Sequence, residues 1–218
     1  MKKEIAFIFD LDGVIVDTAK YHFLAWRNLA NSLGFEFTEE HNELLKGVSR
    51  VRSLEILLNI GKVELTDEEK QPLLVQKNTE YLEYVNKMTA DEILPGINGL
   101  LDYLDEHSIK YALGSASKNA PLILEKVGLF NRFAAIVDGN DVSKAKPDPE
   151  VFLIGAQKLN MKPENCIVVE DAIAGVEAAN AAKMVSIGIG DANLLSEATF
   201  VLSDTTGFTI DFLRNIMK

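Results

Sequence analysis

Cysteine is almost missing from this chain: Cys166 is the single one in 218 residues, so no intrachain disulfide forms and nothing requires an oxidising compartment. Its place in the apolar run Cys166-Ile167-Val168-Val169 predicts a buried core thiol rather than a nucleophile. Long hydrophobic runs are missing as well. Met1-Lys2-Lys3 imitates the basic start of a signal peptide, but Asp10 and Asp12 stop the apolar stretch 5–9 before it reaches signal length. No run approaches a membrane span, so a cytoplasmic protein with no membrane partner is expected. Bases are scarce: 22 Lys and Arg against 33 Asp and Glu leave a net charge of −11, which argues against nucleic acid as a partner. Repeats and low-complexity tracts are absent, and with 47% apolar and 25% charged residues, disorder, collagen and coiled coil all fit poorly.

What is present is an alternation of short apolar runs and helical patterns. Residues 5–9, 111–113, 134–137, 167–169 and 185–189 have the composition of buried parallel strands. Between them, residues 98–106, 121–127, 149–159 and 174–182 carry apolar side chains at three and four spacing, with Pro149 suited to a helix's first turn. The pattern predicts an α/β fold, a Rossmann-like doubly wound parallel sheet. Residues 16–90 break the rhythm. They hold no convincing strand and predict three or four helices, one with Trp26, Leu29, Ala30 and Leu33 as its apolar stripe and one from about 66 to 88. We expect an α-helical cap at 16–90 inserted into a core of 1–15 and 91–218. The segments 14–17 and 91–96, the latter with the turn Pro95-Gly96, would flank a hinge.

Ligands of open α/β sheets bind beyond the carboxyl ends of the strands, so the residues just after each strand matter most. The first strand delivers Asp10-Leu11-Asp12-Gly13, whose two carboxylates point the same way about 6.6 Å apart in extended chain. Alone, this is also what a polar strand end before a turn looks like. The second leads into Gly114-Ser115-Ala116-Ser117-Lys118-Asn119, a phosphate-binding helix start or, equally, an ordinary cap. Lys144 and Lys146 precede the next helix, as loop charges or as an ammonium for the acidic site. The fourth strand delivers Glu170-Asp171, directly at the crevice. Several acids around one crevice repel each other; a hard cation resolves that conflict, and an all-oxygen set near phosphate suits Mg²⁺. Together these features predict phosphoryl transfer through an aspartyl-phosphate.

Phe9-Asp10-Leu11-Asp12-Gly13-Val14, Ser115, Lys146-Pro147 and Glu170-Asp171, in this order, resemble the four motifs of the haloacid dehalogenase superfamily, and the helical insertion resembles its cap. The likeness covers essentially the whole chain. Three stretches resemble a sugar phosphomutase branch: Asp17-Thr18-Ala19-Lys20-Tyr21-His22-Phe23-Leu24-Ala25-Trp26, Leu45-Lys46-Gly47-Val48-Ser49-Arg50 and Ser115-Ala116-Ser117-Lys118-Asn119. Ala172 departs from the pattern, standing where members often carry serine.

The resemblance implies interconversion of β-D-glucose 1-phosphate and glucose 6-phosphate, with β-glucose 1,6-bisphosphate as intermediate. Asp10 would be the nucleophile and Asp12 the general acid and base, with Thr18 and His22 positioning it and Ser115 and Lys146 holding the transferring phosphate. Mg²⁺ would sit on Asp10, the Asp12 carbonyl and Asp171, supported by Glu170. Substrate would meet Trp26, Lys46, Gly47, Val48, Ser49, Arg50, Lys77, Ala116, Ser117, Lys118 and Asn119. Sugar phosphates are the implied partners, of a monomer. Two rivals remain: an Mg²⁺-dependent sugar-phosphate phosphatase of the same superfamily, and a non-catalytic phospho-acceptor resembling a receiver module, against which the size of the insertion argues. Thr18, His22 and Trp26 share one helix face by their spacing of four, and Trp26 packed in the cap core beside a satisfied His22 is the plainer account of that face. His41 and His107 have no evident partner and are expected to be exposed.

Overall fold

A computed structural model describes residues 4–217; Met1-Lys2-Lys3 lies outside the described residues. The chain opens with strand β1 (Ala6–Phe9) and then makes four helices, α1 (Ala19–Ser32), α2 (Glu39–Glu43), α3 (Arg50–Gly61) and α4 (Asp67–Val85). It continues as α5 (Ile97–Glu106), β2 (Tyr111–Gly114), α6 (Ala120–Lys126), β3 (Ala135–Val137), α7 (Glu150–Lys158) and β4 (Cys166–Glu170). It ends with α8 (Ile173–Ala181), β5 (Val185–Ile189), β6 (Phe200–Leu202) and α9 (Ile210–Ile216).

All six strands are parallel in the order β3-β2-β1-β4-β5-β6. The doubly wound sheet is as expected, with one strand more. β6 escapes the sequence pattern because it has three residues and lies at the sheet edge, where Phe200 is exposed and Val201 and Leu202 are only half-buried. β1, by contrast, is buried on both faces. Phe7 and Phe9 join one apolar cluster, with Leu113 and Ile123, while Ala6 and Ile8 join the other, with Phe152 and Ala178. This is the period of two of an extended strand, made apolar on both sides because helices cover both. Truncating Ile8 to alanine would cost roughly 2–5 kcal/mol.

Register brings the strand ends level: Phe9 lies opposite Leu113 on one side and Val169 on the other. Asp10, Ser115 and Asp171 thus emerge along one edge. Cys166 opens β4 fully buried, and burial pushes its thiol up to about 11, which fits a core role.

The four-helix insertion has its own apolar cluster of Trp26, Leu29, Phe37, Leu54, Leu57, Leu58 and Leu74, while Tyr81, Val85 and Met88 join the sheet's cluster at its base. α4 starts at Thr66, whose hydroxyl accepts from the Glu69 N–H while the Glu69 side chain returns to the Thr66 N–H. The two connecting segments run side by side. Val16 bridges to Ile93, the Leu94 N–H donates to the Ile15 carbonyl at 3.0 Å, and Asp17 N–H to the Glu92 carbonyl at 2.9 Å. The Glu92 carboxylate also takes the Lys20 ammonium at 2.7 Å and the Tyr21 hydroxyl at 2.5 Å. His41, expected to be exposed and unpartnered, is half-buried and accepts the Thr38 N–H at Nδ1, closing a capping box on α2. His107 is exposed, as expected, yet it stacks on Tyr103. Among the described residues no helix is long and apolar enough to cross a membrane.

Candidate active site

The floor of the site is an ion cluster at the strand ends. Lys146, brought in by the loop before α7, is buried with its ammonium 2.6 Å from Asp10 Oδ1 and 2.5 Å from Glu170 Oε1. Burial opposes that charge, but the carboxylates of Asp10 and Glu170 outweigh it and hold Lys146 above the ordinary lysine range. Burial raises the Glu170 carboxyl to about 7, against the pull of Lys146. The other Glu170 oxygen accepts the Ala172 N–H at 3.0 Å. Gly175 makes room for this group, since a Cβ there would fall 1.9 Å from Glu170 Cδ. Gly13 does the same for Asp171: φ is +79° and a Cβ would fall 2.3 Å from Asp171 Oδ2. Asp10, Glu170 and Asp171 each bring a carboxylate oxygen within 4.8 Å of the others, a grouping able to hold a metal ion. Burial first, then Glu170 and Asp10, push Asp171 well above the usual carboxylate range. Ser115, buried after β2, accepts the Ser117 N–H at 3.1 Å.

Asp12 turns away from that cluster. Its Oδ1 accepts the Thr18 hydroxyl and lies 3.9 Å from His22 Nε2. Thr18 occupies the cap position of α1, yet its side chain caps no backbone N–H and is spent on Asp12. Burial and the neighbouring Asp10 raise the Asp12 carboxyl to about 6, close to where an acid and base at neutral pH works best. Behind it, the buried Lys77 of α4 sets its ammonium 2.8 Å from His22 Nδ1, 4.8 Å from the Trp26 ring centre and 4.5 Å from that of Tyr81. A lysine ammonium only donates, so it makes Nδ1 the acceptor and leaves the His22 proton on Nε2, facing Asp12. Burial and Arg50 lower Lys77 to about 7, and burial with Lys77 and Arg50 drives His22 well below its usual value.

One cavity between the insertion and the strand ends is lined by Asp10, Asp12, His22, Trp26, Lys46, Gly47, Val48, Arg50, Lys77, Ala116, Ser117, Lys118, Asn119 and Asp171. Thr18, Ser115, Lys146 and Glu170 are buried beneath it. Ser49 does not line it, in contrast to the expectation. Its hydroxyl caps α3 by accepting the Arg52 N–H, the ordinary work of a serine before a helix. Arg52 pairs outward with Glu55 at 2.8 Å, whereas Lys46 and Arg50, close to it in sequence, line the cavity. Lys46 reaches across to Asp171 at 3.8 Å, and Asn119 donates to Asn78 at 3.0 Å, joining insertion and core. Asn42, Leu45, Ser53, Asn78 and Tyr81 also line the cavity and were missed. For Tyr81 a signal existed, because it follows Lys77 by one helical turn; Asn42 has none.

The family model described as haloacid dehalogenase-like hydrolase matches residues 6–183. The β-phosphoglucomutase of Bacillus subtilis (strain 168) is 43% identical over 211 residues, 96% of this chain and 93% of that protein. A crystal structure of β-phosphoglucomutase from Clostridium difficile shares 41% identity with a TM-score of 0.93, covering 98% of this chain and 97% of that one. The phosphorylated carbohydrates phosphatase of Thermotoga maritima is 31% identical over 201 residues, covering 88% and 90%.

Proposed function

The chain belongs to the haloacid dehalogenase-like hydrolase family, and from that premise we propose that it is a phosphomutase interconverting β-D-glucose 1-phosphate and glucose 6-phosphate. One observation carries the choice of mutase over phosphatase. The insertion brings Lys46, Arg50 and Lys77 into the cavity that holds Asp10, a set of cations beyond what one reacting phosphate needs. A mutase must anchor a second phosphate while the first reacts, and Arg50 with Ser117, Lys118 and Asn119 supplies that anchor.

In this mechanism an Asp10 carboxylate oxygen attacks the phosphorus of β-glucose 1,6-bisphosphate. The bond from phosphorus to the sugar oxygen breaks, and Asp12 donates its proton to that oxygen. In the return step Asp12 takes the proton of a sugar hydroxyl, which attacks the aspartyl-phosphate and releases Asp10. Lys146 and Ser115 hold the transferring group, with the Lys146 charge aimed where negative charge gathers. The carboxylates of Asp10, Glu170 and Asp171, the first two buried and the third half-buried, fit Mg²⁺, a hard ion with oxygen ligands. Asp10, Asp171 and the Asp12 carbonyl would hold it, Glu170 in support, and its charge would offset that of the phosphate oxygens.

Residues 16–90 act in this reading as a cap over the sugar, and 1–15 with 91–218 as the core. Every residue invoked comes from one chain, so a monomer suffices, working on cytoplasmic sugar phosphates. The test is a coupled assay of glucose 6-phosphate formation from β-glucose 1-phosphate and its α anomer, with catalytic bisphosphate and Mg²⁺. We expect product from the β anomer alone and none in excess chelator. Stoichiometric release of inorganic phosphate without glucose 6-phosphate would replace the mutase by a phosphatase.

A further inference from the structure

The cavity wall holds polar side chains that the chemistry above does not use, among them Asn42, Ser53, Asn78 and Tyr81, and Asn42 carries the most hydrogen-bonding capacity left without a protein partner. Asn42, on α2, is only 8% exposed and lines the cavity beside Leu45 and Lys46. Its backbone is occupied, the N–H donating to the Thr38 carbonyl at 3.1 Å and the carbonyl accepting from Leu45 at 2.9 Å. Helix capping is done by Thr38 and His41, so the Asn42 side chain is not needed there. Its amide carries two donor hydrogens and an acceptor oxygen, makes no side-chain hydrogen bond among the described residues, and opens onto the cavity instead of being sealed off like His22 Nε2 and the Tyr81 hydroxyl. An amide on a cavity wall with no partner in the protein is free to pair with whatever the cavity binds.

The surroundings say which kind of ligand. Lys46, Arg50 and Lys77 share the cavity and are the groups that attract phosphate. A neutral amide gains little by competing with them for an anion. It matches a hydroxyl, which donates once and accepts. Trp26 and Leu45 of the same wall present apolar surface suited to the body of a sugar ring. We propose that Asn42 is a specificity-determining residue that hydrogen-bonds one non-reacting ring hydroxyl of the sugar phosphate. The proposal rests on the sugar-phosphate reading above and adds to it which part of the cap reads the ring.

The experiment compares the full chain with Asn42→Leu, similar in volume and unable to hydrogen-bond, on β-glucose 1-phosphate and its 2-, 3- and 4-deoxy forms. The expected result is a loss in kcat/KM of roughly 5- to 100-fold on the parent sugar, the range for leaving a buried polar group unpaired. On one deoxy sugar, the one lacking the partner hydroxyl, the two proteins should become equal. An equal loss on every sugar, or no loss on any, overturns the proposal. A thermal melt establishes that the variant is folded; should it not be, Asn42→Ser takes its place and must show the same dependence on one hydroxyl. If the unaltered protein forms no glucose 6-phosphate, the mutase reading fails separately. The same comparison is then run on the sugar phosphate it does dephosphorylate, with the same two outcomes.

Discussion

The floor and the roof of the cavity are built on opposite principles. On the floor every buried charge has a partner: Lys146 lies between Asp10 and Glu170, and the second Glu170 oxygen takes a backbone N–H. In the roof, Lys77 meets His22 and two aromatic faces, the buried His22 Nε2 and Tyr81 hydroxyl have no hydrogen-bond partner among the described residues, and the Asn42 amide opens onto the cavity. The floor is organised before substrate arrives, which suits groups that stabilise a transition state. The roof is completed only by what it binds. Under the proposed function, such a division would let a sugar phosphate bound by the roof decide when the floor reacts.

The largest way to break this comparison is to open the floor. Lys146→Met removes the cation and leaves two buried carboxylates facing each other, so we expect a loss of about 3–5 kcal/mol in urea unfolding, the usual cost of orphaning a buried charge. Turnover should disappear with it. A variant as stable as the parent would mean that the floor charges are not a coupled set.

The roof predicts the reverse sign. Lys77 has its pKa lowered to about 7 by burial and by Arg50, so the unfolded chain binds that proton more readily than the folded one between about pH 7 and the ordinary lysine value. Stability therefore rises with pH across that window, and the penalty is complete below it. Lys77→Met should raise the stability of the substrate-free protein at pH 6.5 by on the order of a few kcal/mol, with the advantage shrinking toward pH 10. Activity should fall at the same time. A variant less stable than the parent at pH 6.5 would show that the ring faces and His22 compensate Lys77 fully.

The floor was far more legible in the sequence than the roof, and the reason is geometric. Asp10, Ser115 and Asp171 each follow a buried strand, and parallel register alone places them together. Lys146 needed the loop, and its sequence fitted a plain loop charge as well as an ammonium for the acidic site, so only the family resemblance placed it there. Roof residues come from different helices whose faces meet only after the insertion packs, so Asn42 and Ser53 carried no spacing that sets them apart from core or surface, and Tyr81 had only its one-turn distance from Lys77. Ser49 misled because a serine before a helix looks alike whether it caps or binds. β6 was lost for lack of length and burial, not for lack of β-formers.

The smallest expected effect sits where floor and roof touch. Ala172 occupies the cap position of α8 in extended backbone, and no side chain caps the helix there. A serine hydroxyl at that place would accept a first-turn N–H, worth typically about 1 kcal/mol over alanine. Against this stands the roof: Gly47, at φ +72°, passes so close that a Cβ on it would lie 2.8 Å from the Ala172 Cβ. The added oxygen has room only if it rotates toward the backbone, away from Gly47. Ala172→Ser should then raise the melting temperature by about 2–4 °C, as expected for 1 kcal/mol in a chain of this size, and leave the Lys46 contact with Asp171 in place. A lower melting temperature would show that the hydroxyl is forced against Gly47. The floor and roof would in that case be in tighter contact than the alanine reveals, and the same variant should weaken substrate turnover by holding the two apart.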